Sequence, residues 1–249
     1  LAGLRVLITR PASAIAPWQA ALERAGATVI AHPTTVVTAP PSWAPLDAAF
    51  AQLADYDWLV FTSANAVALA CDRLTSDVSP ATLSRPEIAA VGDETARALS
   101  ERGFRVAFVP DDKRQEGLVA GLSARLAGVA SPRVLFPRAL DGREHLVEAL
   151  AARGIAVDVV PASQTRAITD LQPPPHFDVA TFASPSALSA YAARLGTGTI
   201  SAVPCVVIGA TTAAAARALG LVPIQAAAPN IESVIEAIAT AAGVVPPNR

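Results

Sequence analysis

Along this chain, short uncharged apolar runs alternate with stretches whose apolar residues recur at helical spacing. Residues 5–9 (RVLIT) predict a strand, and residues 11–25 contain a helix whose apolar side includes Trp18, Ala21, Leu22 and Ala25, stopped by Gly26. Residues 28–37 form a long second strand interrupted by Pro33, and Pro40, Pro41 and Pro45 make a connector to a helix over 46–53. An uncharged strand at 58–61 then enters a Ser-containing turn and leaves as an Ala-rich helix. Strand 87–91 ends in Gly92, a helix over 94–102 is stopped by Gly103, strand 106–109 follows, and a helix over 117–126 closes the unit. The pattern restarts with strand 133–136 and a helix from Asp141, where Asp141-Gly-Arg-Glu144 has the form of a capping box and Gly154 is the stop. A long strand over 157–165 and a Pro-rich connector at 173–175 follow. The uncharged run 200–216 is broken by Pro204 and Gly209, so it reads as strand, turn and helix and not as a membrane span.

The restart is a duplication. Residues 57–69 (DWLVFTSANAVAL) return 121 positions later as 178–190 (DVATFASPSALSA). RVLF at 133–136 repeats RVLI at 5–8, each followed by an Arg, Arg138 and Arg10, and Gly209 repeats Gly92, which pairs Thr212 with Thr95. Strands alternating with helices predict an α/β protein with parallel sheets, five strands to a unit, each unit resembling the flavodoxin-like doubly wound pattern. Ligands of such sheets bind outside the carboxyl ends of the strands. That rule selects Arg10, Ser63 with Asn65, and Gly92 with Thr95 in the first copy, and Arg138, Ser184 with Ser186, and Gly209 with Thr211 and Thr212 in the second. Ser63 and Ser184 stand where an N-cap oxygen takes a free backbone N–H, and Pro185 falls at the first helical position. A strand running straight into a helix N-terminus presents unpaired N–H groups and a positive dipole end, a receptor for anions. Plainer readings stand beside this one: the serines are caps and nothing more, the threonines bond within their own helical turns, and the arginines are solvated surface charges.

Composition narrows the classes. With 249 residues, 52% hydrophobic and 16% charged, the chain can build substantial cores in one or two domains. A net charge of −2 gives no nucleic-acid surface. Arg outnumbers Lys 18 to one, the one being Lys113; Arg suits bidentate carboxylate contacts, but a high-GC codon bias would give the same skew, and the heavy Ala content favours that explanation. Cys71 and Cys205 lie in apolar surroundings without CxxC or Cys/His spacing, which argues against a metal site or disulfide and for a reducing compartment. No signal peptide is visible in LAGLRVLITR, so a cytoplasmic protein is expected, and the absence of Met suggests a start after a trimmed leader. None of His32, His145 and His176 has a Ser or Cys partner in a nucleophile elbow, and there is no GxGxxG or GxxxxGK[ST] loop. What remains is a two-lobed protein with a cleft lined by N–H groups, hydroxyls and a few Arg, suited to a polyanionic organic ligand. An exported bilobal binding protein would share the two lobes but needs the signal that is missing.

The motifs VLITRP, DWLVFTSANAV, AAVGDETARAL, EGL, VLFPRA, DVATFASPSAL and VIGATTAAAARALG, in this order and in two copies, make the chain similar to the uroporphyrinogen-III synthase family over nearly its whole length. The resemblance implies a lyase of tetrapyrrole and haem biosynthesis that acts on hydroxymethylbilane, a linear tetrapyrrole with eight carboxylates, and closes it with ring D inverted. Loss of water gives an electrophilic azafulvene; attack by the substituted carbon of ring D gives a spiro intermediate that fragments and recloses. The protein's task is then orientation, with no metal and no cofactor. The binding positions carried over are Ser63 and Asn65, Ser184 and Ser186, and Thr95 and Thr212; Arg10 and Arg138 are added on electrostatic grounds.

The same resemblance implies an exchange between lobes: lobe one is 1–34 with 168–249, lobe two is 40–162, and 35–39 and 163–167 are crossing β-strand linkers. It further implies a monomer, working with a small-molecule substrate and with the enzyme that makes it, and without nucleic acid or membrane. One departure matters. Where the family carries Tyr-x-Thr at the end of the second crossing strand, this chain has Ser163-Gln164-Thr165, and neither Tyr56 nor Tyr191 is placed to substitute. A general acid contributes about 10² to 10⁴-fold and orientation can contribute more, so an active enzyme is expected, with water or Ser163 relaying the proton and Ser163→Tyr raising turnover. The alternative is a catalytically silent member that binds tetrapyrroles or regulates.

Overall fold

The uncharged apolar runs become the strands of two five-stranded sheets in a computed structural model that describes residues 1–74, 85–142 and 144–243. In chain order the elements are β1 (Arg5–Ile8), α1 (Ala16–Arg24), β2 (Thr28–Ala31), β3 (Thr35–Thr38), α2 (Ala44–Ala51), β4 (Trp58–Phe61), α3 (Ala64–Leu74), β5 (Glu87–Ala90), α4 (Asp93–Ser100) and α5 (Gln115–Arg125). They continue with β6 (Arg133–Ala139), α6 (His145–Ala151), β7 (Ala156–Ala167), β8 (Val179–Phe182), α7 (Pro185–Leu195), α8 (Gly198–Ser201), β9 (Cys205–Val207), α9 (Ala210–Ala218), β10 (Pro223–Gln225) and α10 (Ile231–Ala241).

The chain divides into two compact units, Leu1–Val36 with Arg166–Arg249, and Val37–Thr165. In the first, the sheet order is β10-β9-β8-β1-β2 with every neighbouring pair parallel. Numbered along that unit the order is 2-1-3-4-5, the flavodoxin-like arrangement. Burial on both faces explains why the strands carry no charge beyond Arg5 at the exposed start of β1: Val6, Ile8, Val179 and Val206 pack on one face, and Leu7, Ala180, Phe182 and Val207 on the other.

The second unit has the order β3-β7-β6-β4-β5, with β4·β5, β4·β6 and β6·β7 parallel and Phe108 bridging to Ala89. Here Leu59, Phe61 and Leu135 line one face, and Trp58, Val60, Val134 and Phe136 the other. Matching β6 to β1, β7 to β2, β4 to β8 and β5 to β9 recovers the first unit's order, entered at a different strand. The second copy is a circular permutation of the first, with β3 added at its edge.

Several expectations need correction. The long strand over 28–37 is two strands in two sheets, because Pro33 supplies no N–H and ends the ladder. Pro45 belongs to the first turn of α2 and not to the connector, since a helix start tolerates a missing donor. Strand 106–109 reduces to the single bridge at Phe108. β6 runs on through Pro137 and Arg138, which is possible because its pairing with β4 stops at Leu135 and, among the described residues, β7 is then its one strand neighbour. No capping box forms at Asp141: the N-cap of α6 is Glu144, without a side-chain bond, because the Glu144 carboxylate is engaged by Arg138; Arg143, within the predicted box, lies outside the described residues. The predicted stops at Gly26 and Gly154 do adopt left-handed backbone, with φ of +88° and +75°.

Candidate functional site

In the first unit, β1, β8 and β9 end at the Arg10 loop, the Ser184 turn and the Gly209 turn. Ser184 Oγ accepts the Ala187 N–H at 3.1 Å, and the Ser186 hydroxyl lies 3.0 Å away. Beneath this turn is a lattice of buried threonines. Thr9 Oγ1 donates to the Thr181 carbonyl (2.9 Å), Thr181 Oγ1 to that of Leu7 (2.8 Å), and Thr34 Oγ1 to that of Ala187 (2.9 Å). These bonds tie β8 to the end of β1 and α7 to the segment after β2, and sequence reasoning missed them because a Thr in an apolar run signals only β-propensity.

Gly209 caps α9 without any side-chain oxygen, and a Cβ built there would meet open space. The first bond of α9 runs from the Ala213 N–H to the Gly209 carbonyl at 3.0 Å, so the amides of Ala210, Thr211 and Thr212 have no intrahelical acceptor. Thr211 is exposed, whereas Thr212 is 2% exposed and packs inside. Arg10 folds back on its own segment: Nε donates to the Ala14 carbonyl (3.2 Å) and the guanidinium stacks 4.4 Å above the Trp18 ring.

The second unit repeats the theme with different electrostatics. Ser63 Oγ accepts the Ala66 N–H at 3.1 Å, and Asn65 sits half-buried in the same turn. Gly92 caps α4, again without a side-chain oxygen, but Asp93 and Glu94 occupy the first helical turn and repel an anion there. Lys113, the one lysine of the chain, answers this charge: its stem lies about 3.5 Å from where a Gly92 Cβ would stand, and its ammonium bonds Asp93. The sequence contains Lys113, but only the folded loop brings it to Gly92. Thr95, 4% exposed, packs inside like Thr212.

Arg138 differs from its counterpart Arg10, being held within β6 at 9% exposure and bonded to Glu144. Ser163 is 2% exposed in β7, with its carbonyl accepting the Leu140 N–H at 2.7 Å. This burial leaves little of Ser163 in contact with solvent.

The first turns of α3, α7 and α9 contain no acidic residue. Ser63, Ser184 and Gly209 therefore head helix starts that admit a carboxylate, two in the first unit and one in the second; the first turn of α1, after the Arg10 loop, is likewise free of acid. Burial pushes the Cys71 thiol up to about 12 and that of Cys205 up to about 11, which leaves neither as a nucleophile near neutral pH. Among the described residues, no group of three or more His, Cys, Asp or Glu side chains could hold a metal, and no helix is long and apolar enough to cross a membrane.

A family model described as uroporphyrinogen-III synthase HemD matches residues 16–236. The chain is similar to the uroporphyrinogen-III synthase of Synechococcus elongatus, 40% identical over 167 residues, covering 67% of this chain and 62% of that protein. It is 27% identical over 244 residues to the porphyrin biosynthesis protein HemD of Ruminiclostridium josui, covering 95% of this chain and 48% of that one. It thus spans between about half and three-fifths of the length of these two curated relatives. Among solved structures, the fold is similar to uroporphyrinogen-III synthetase from Helicobacter pylori (TM-score 0.63, 20% identity, 95% and 98% of the two chains). It also resembles a mutant uroporphyrinogen III synthase from Thermus thermophilus (TM-score 0.56, 17% identity, 97% and 99% of the two chains).

Proposed function

The chain belongs to the uroporphyrinogen-III synthase family, and from that premise we propose that it converts hydroxymethylbilane to uroporphyrinogen III and water. The observation that carries this reading is the set of acid-free helix starts at Ser63, Ser184 and Gly209, each at the carboxyl end of a parallel strand. Each such start favours an anion by about 0.3–1 kcal/mol. Ser184 and Gly209, both in the first unit, acting together on the arms of one polycarboxylate fix a ring better than a single contact could.

In this reading Ser63, Asn65, Ser184, Ser186, Thr211 and the amides after Gly209 hold acetate and propionate arms. Gly92 contributes through Lys113, and Thr95 and Thr212 support their turns from inside. Arg10 and Arg138 add positive charge at the ends of β1 and β6. The hydroxymethyl oxygen leaves as water with a proton taken from solvent, since none of these side chains is an acid near neutral pH. The protein holds ring D so that its substituted carbon attacks. We take the chain to act as a cytoplasmic monomer on a substrate handed over by the enzyme that makes it.

The test is to supply hydroxymethylbilane and resolve the products by chromatography. Isomer III supports the proposal; isomer I alone, the product of spontaneous closure, overturns it. Burial of Ser163 at the family's Tyr position favours one second reading, a silent family member that binds tetrapyrroles without closing them, and the same assay separates the two.

A further inference from the structure

A guanidinium is costly to bury unless its donors are met. Arg138 is nine-tenths buried, yet only Nη2 is matched, by one oxygen of Glu144; Nε and Nη1 are buried without an acceptor. The chain crowds this group further, because a Cβ on Gly142 would stand 2.7 Å from Nη1 and 2.9 Å from Cδ. Glu144 is an unusual choice of partner, its side chain being 57% exposed and meeting the fork through one oxygen, whereas a carboxylate can meet two donors at once. Arg138 lies at the carboxyl end of β6, the edge on which a doubly wound sheet binds its ligands.

We infer that Arg138 is a receptor for one substrate carboxylate, and that Glu144 occupies it in the unliganded protein as an internal surrogate. Substrate binding is then an exchange: the Glu144 side chain turns out to solvent, and the incoming carboxylate takes Nη2 with one oxygen and a neighbouring donor with the other. The exchange leaves the charge at Arg138 balanced and removes one unmet donor, so it favours the carboxylate that can chelate over the one that cannot. Glu144 also acts as a filter, since a ligand without a carboxylate at this position cannot displace it. The inference rests on the proposed substrate class.

The test uses the full chain and compares wild type with Glu144→Gln and Arg138→Lys. It measures KM and kcat with hydroxymethylbilane, anaerobic calorimetric binding of uroporphyrinogen III, and thermal melting. Removing the surrogate is expected to lower KM and the product dissociation constant several-fold without lowering kcat. Arg138→Lys, which keeps the charge but loses the fork, is expected to raise KM about tenfold. A Glu144→Gln variant with unchanged or weaker binding makes Glu144 a structural counter-ion only and overturns the inference, as does an unchanged KM in Arg138→Lys. If Glu144→Gln melts too low to assay, Glu144→Asp, which is too short to span the same gap, carries the same expectation. Wild-type protein that forms no isomer III defeats the functional reading, whereas isomer III with binding indifferent to position 144 defeats this inference alone.

Discussion

Gly209 shows what a single residue can reveal. Its backbone is extended, a conformation any residue adopts, and nothing lies within 4 Å of the missing Cβ, so the fold itself does not ask for glycine. Close approach of a ligand to the following amides, which we propose, would. Gly209→Ala is predicted to leave the melting temperature unchanged or slightly raised while increasing KM, measured on the same preparation. Ser163 leads to the opposite expectation. Its burial means that a phenol there overpacks the interior, so Ser163→Tyr is predicted to cost about 1–3 kcal/mol of stability in denaturant titration, and the gain in turnover expected from the family pattern is to be measured against that loss. The Ser63 and Ser184 caps were legible in the sequence because a cap is a local bargain between a hydroxyl and an amide three residues on. The Thr9–Thr181 and Thr34–Ala187 bonds were not, because their partners lie 172 and 153 residues apart and nothing local marks them.

Among elements, the strands were readable as uncharged runs and their ends as Gly or Pro, which is why the residues alone show Pro33 as an interruption, while a crossing after it was implied only by the family resemblance. The extension of β6 through Pro137 was hidden for a related reason: whether a Pro ends a strand depends on which neighbours need its N–H, and that is a tertiary fact. At the amino ends of the strands the two copies share a device. Asp178 accepts the Arg5 N–H at 2.8 Å and Asp57 accepts that of Arg133 at 2.9 Å. In the second unit the device is enlarged: Tyr56 donates to Asp158 at 2.7 Å, and Arg133 bonds the same carboxylate at 2.7 Å. Burial, reinforced by the bond to the Asp158 carboxylate, pushes the Tyr56 hydroxyl up to about 12, against roughly 10 in an unfolded chain. The native state keeps this proton longer, so its contribution is intact below about pH 10 and disappears between about pH 10 and 12. Melting temperature is predicted to fall across that window, and to fall less steeply in Tyr56→Phe; the thiols and the Tyr191 hydroxyl, all raised by burial, contribute to the slope that remains.

For the whole molecule, the internal duplication carried most of the information, since each copy interprets the other. It showed five-stranded units and paired turns, but a repeat read along the chain cannot show that the second unit is a permutation, because the sequence order of the copies is the same whichever strands pair. What the pairing adds is that corresponding turns come from corresponding strands: Ser63 follows β4 as Ser184 follows β8, each beside the strand that carries the Arg. The account of function rests on these turns acting through backbone amides and orientation, not through an acid. Aspartate caps a helix about as well as serine, yet it places a negative charge where we propose that the substrate's carboxylates are held. Ser63→Asp and Ser184→Asp thus separate the two roles of each serine. The decisive measurement is kcat/KM and the ratio of isomer III to isomer I for these two variants beside wild type, with melting curves as control. The account predicts native-like melting, a fall in kcat/KM of at least about tenfold in each, and a rising share of isomer I as spontaneous closure overtakes the enzyme. Unchanged kcat/KM and isomer ratio in both variants would contradict it.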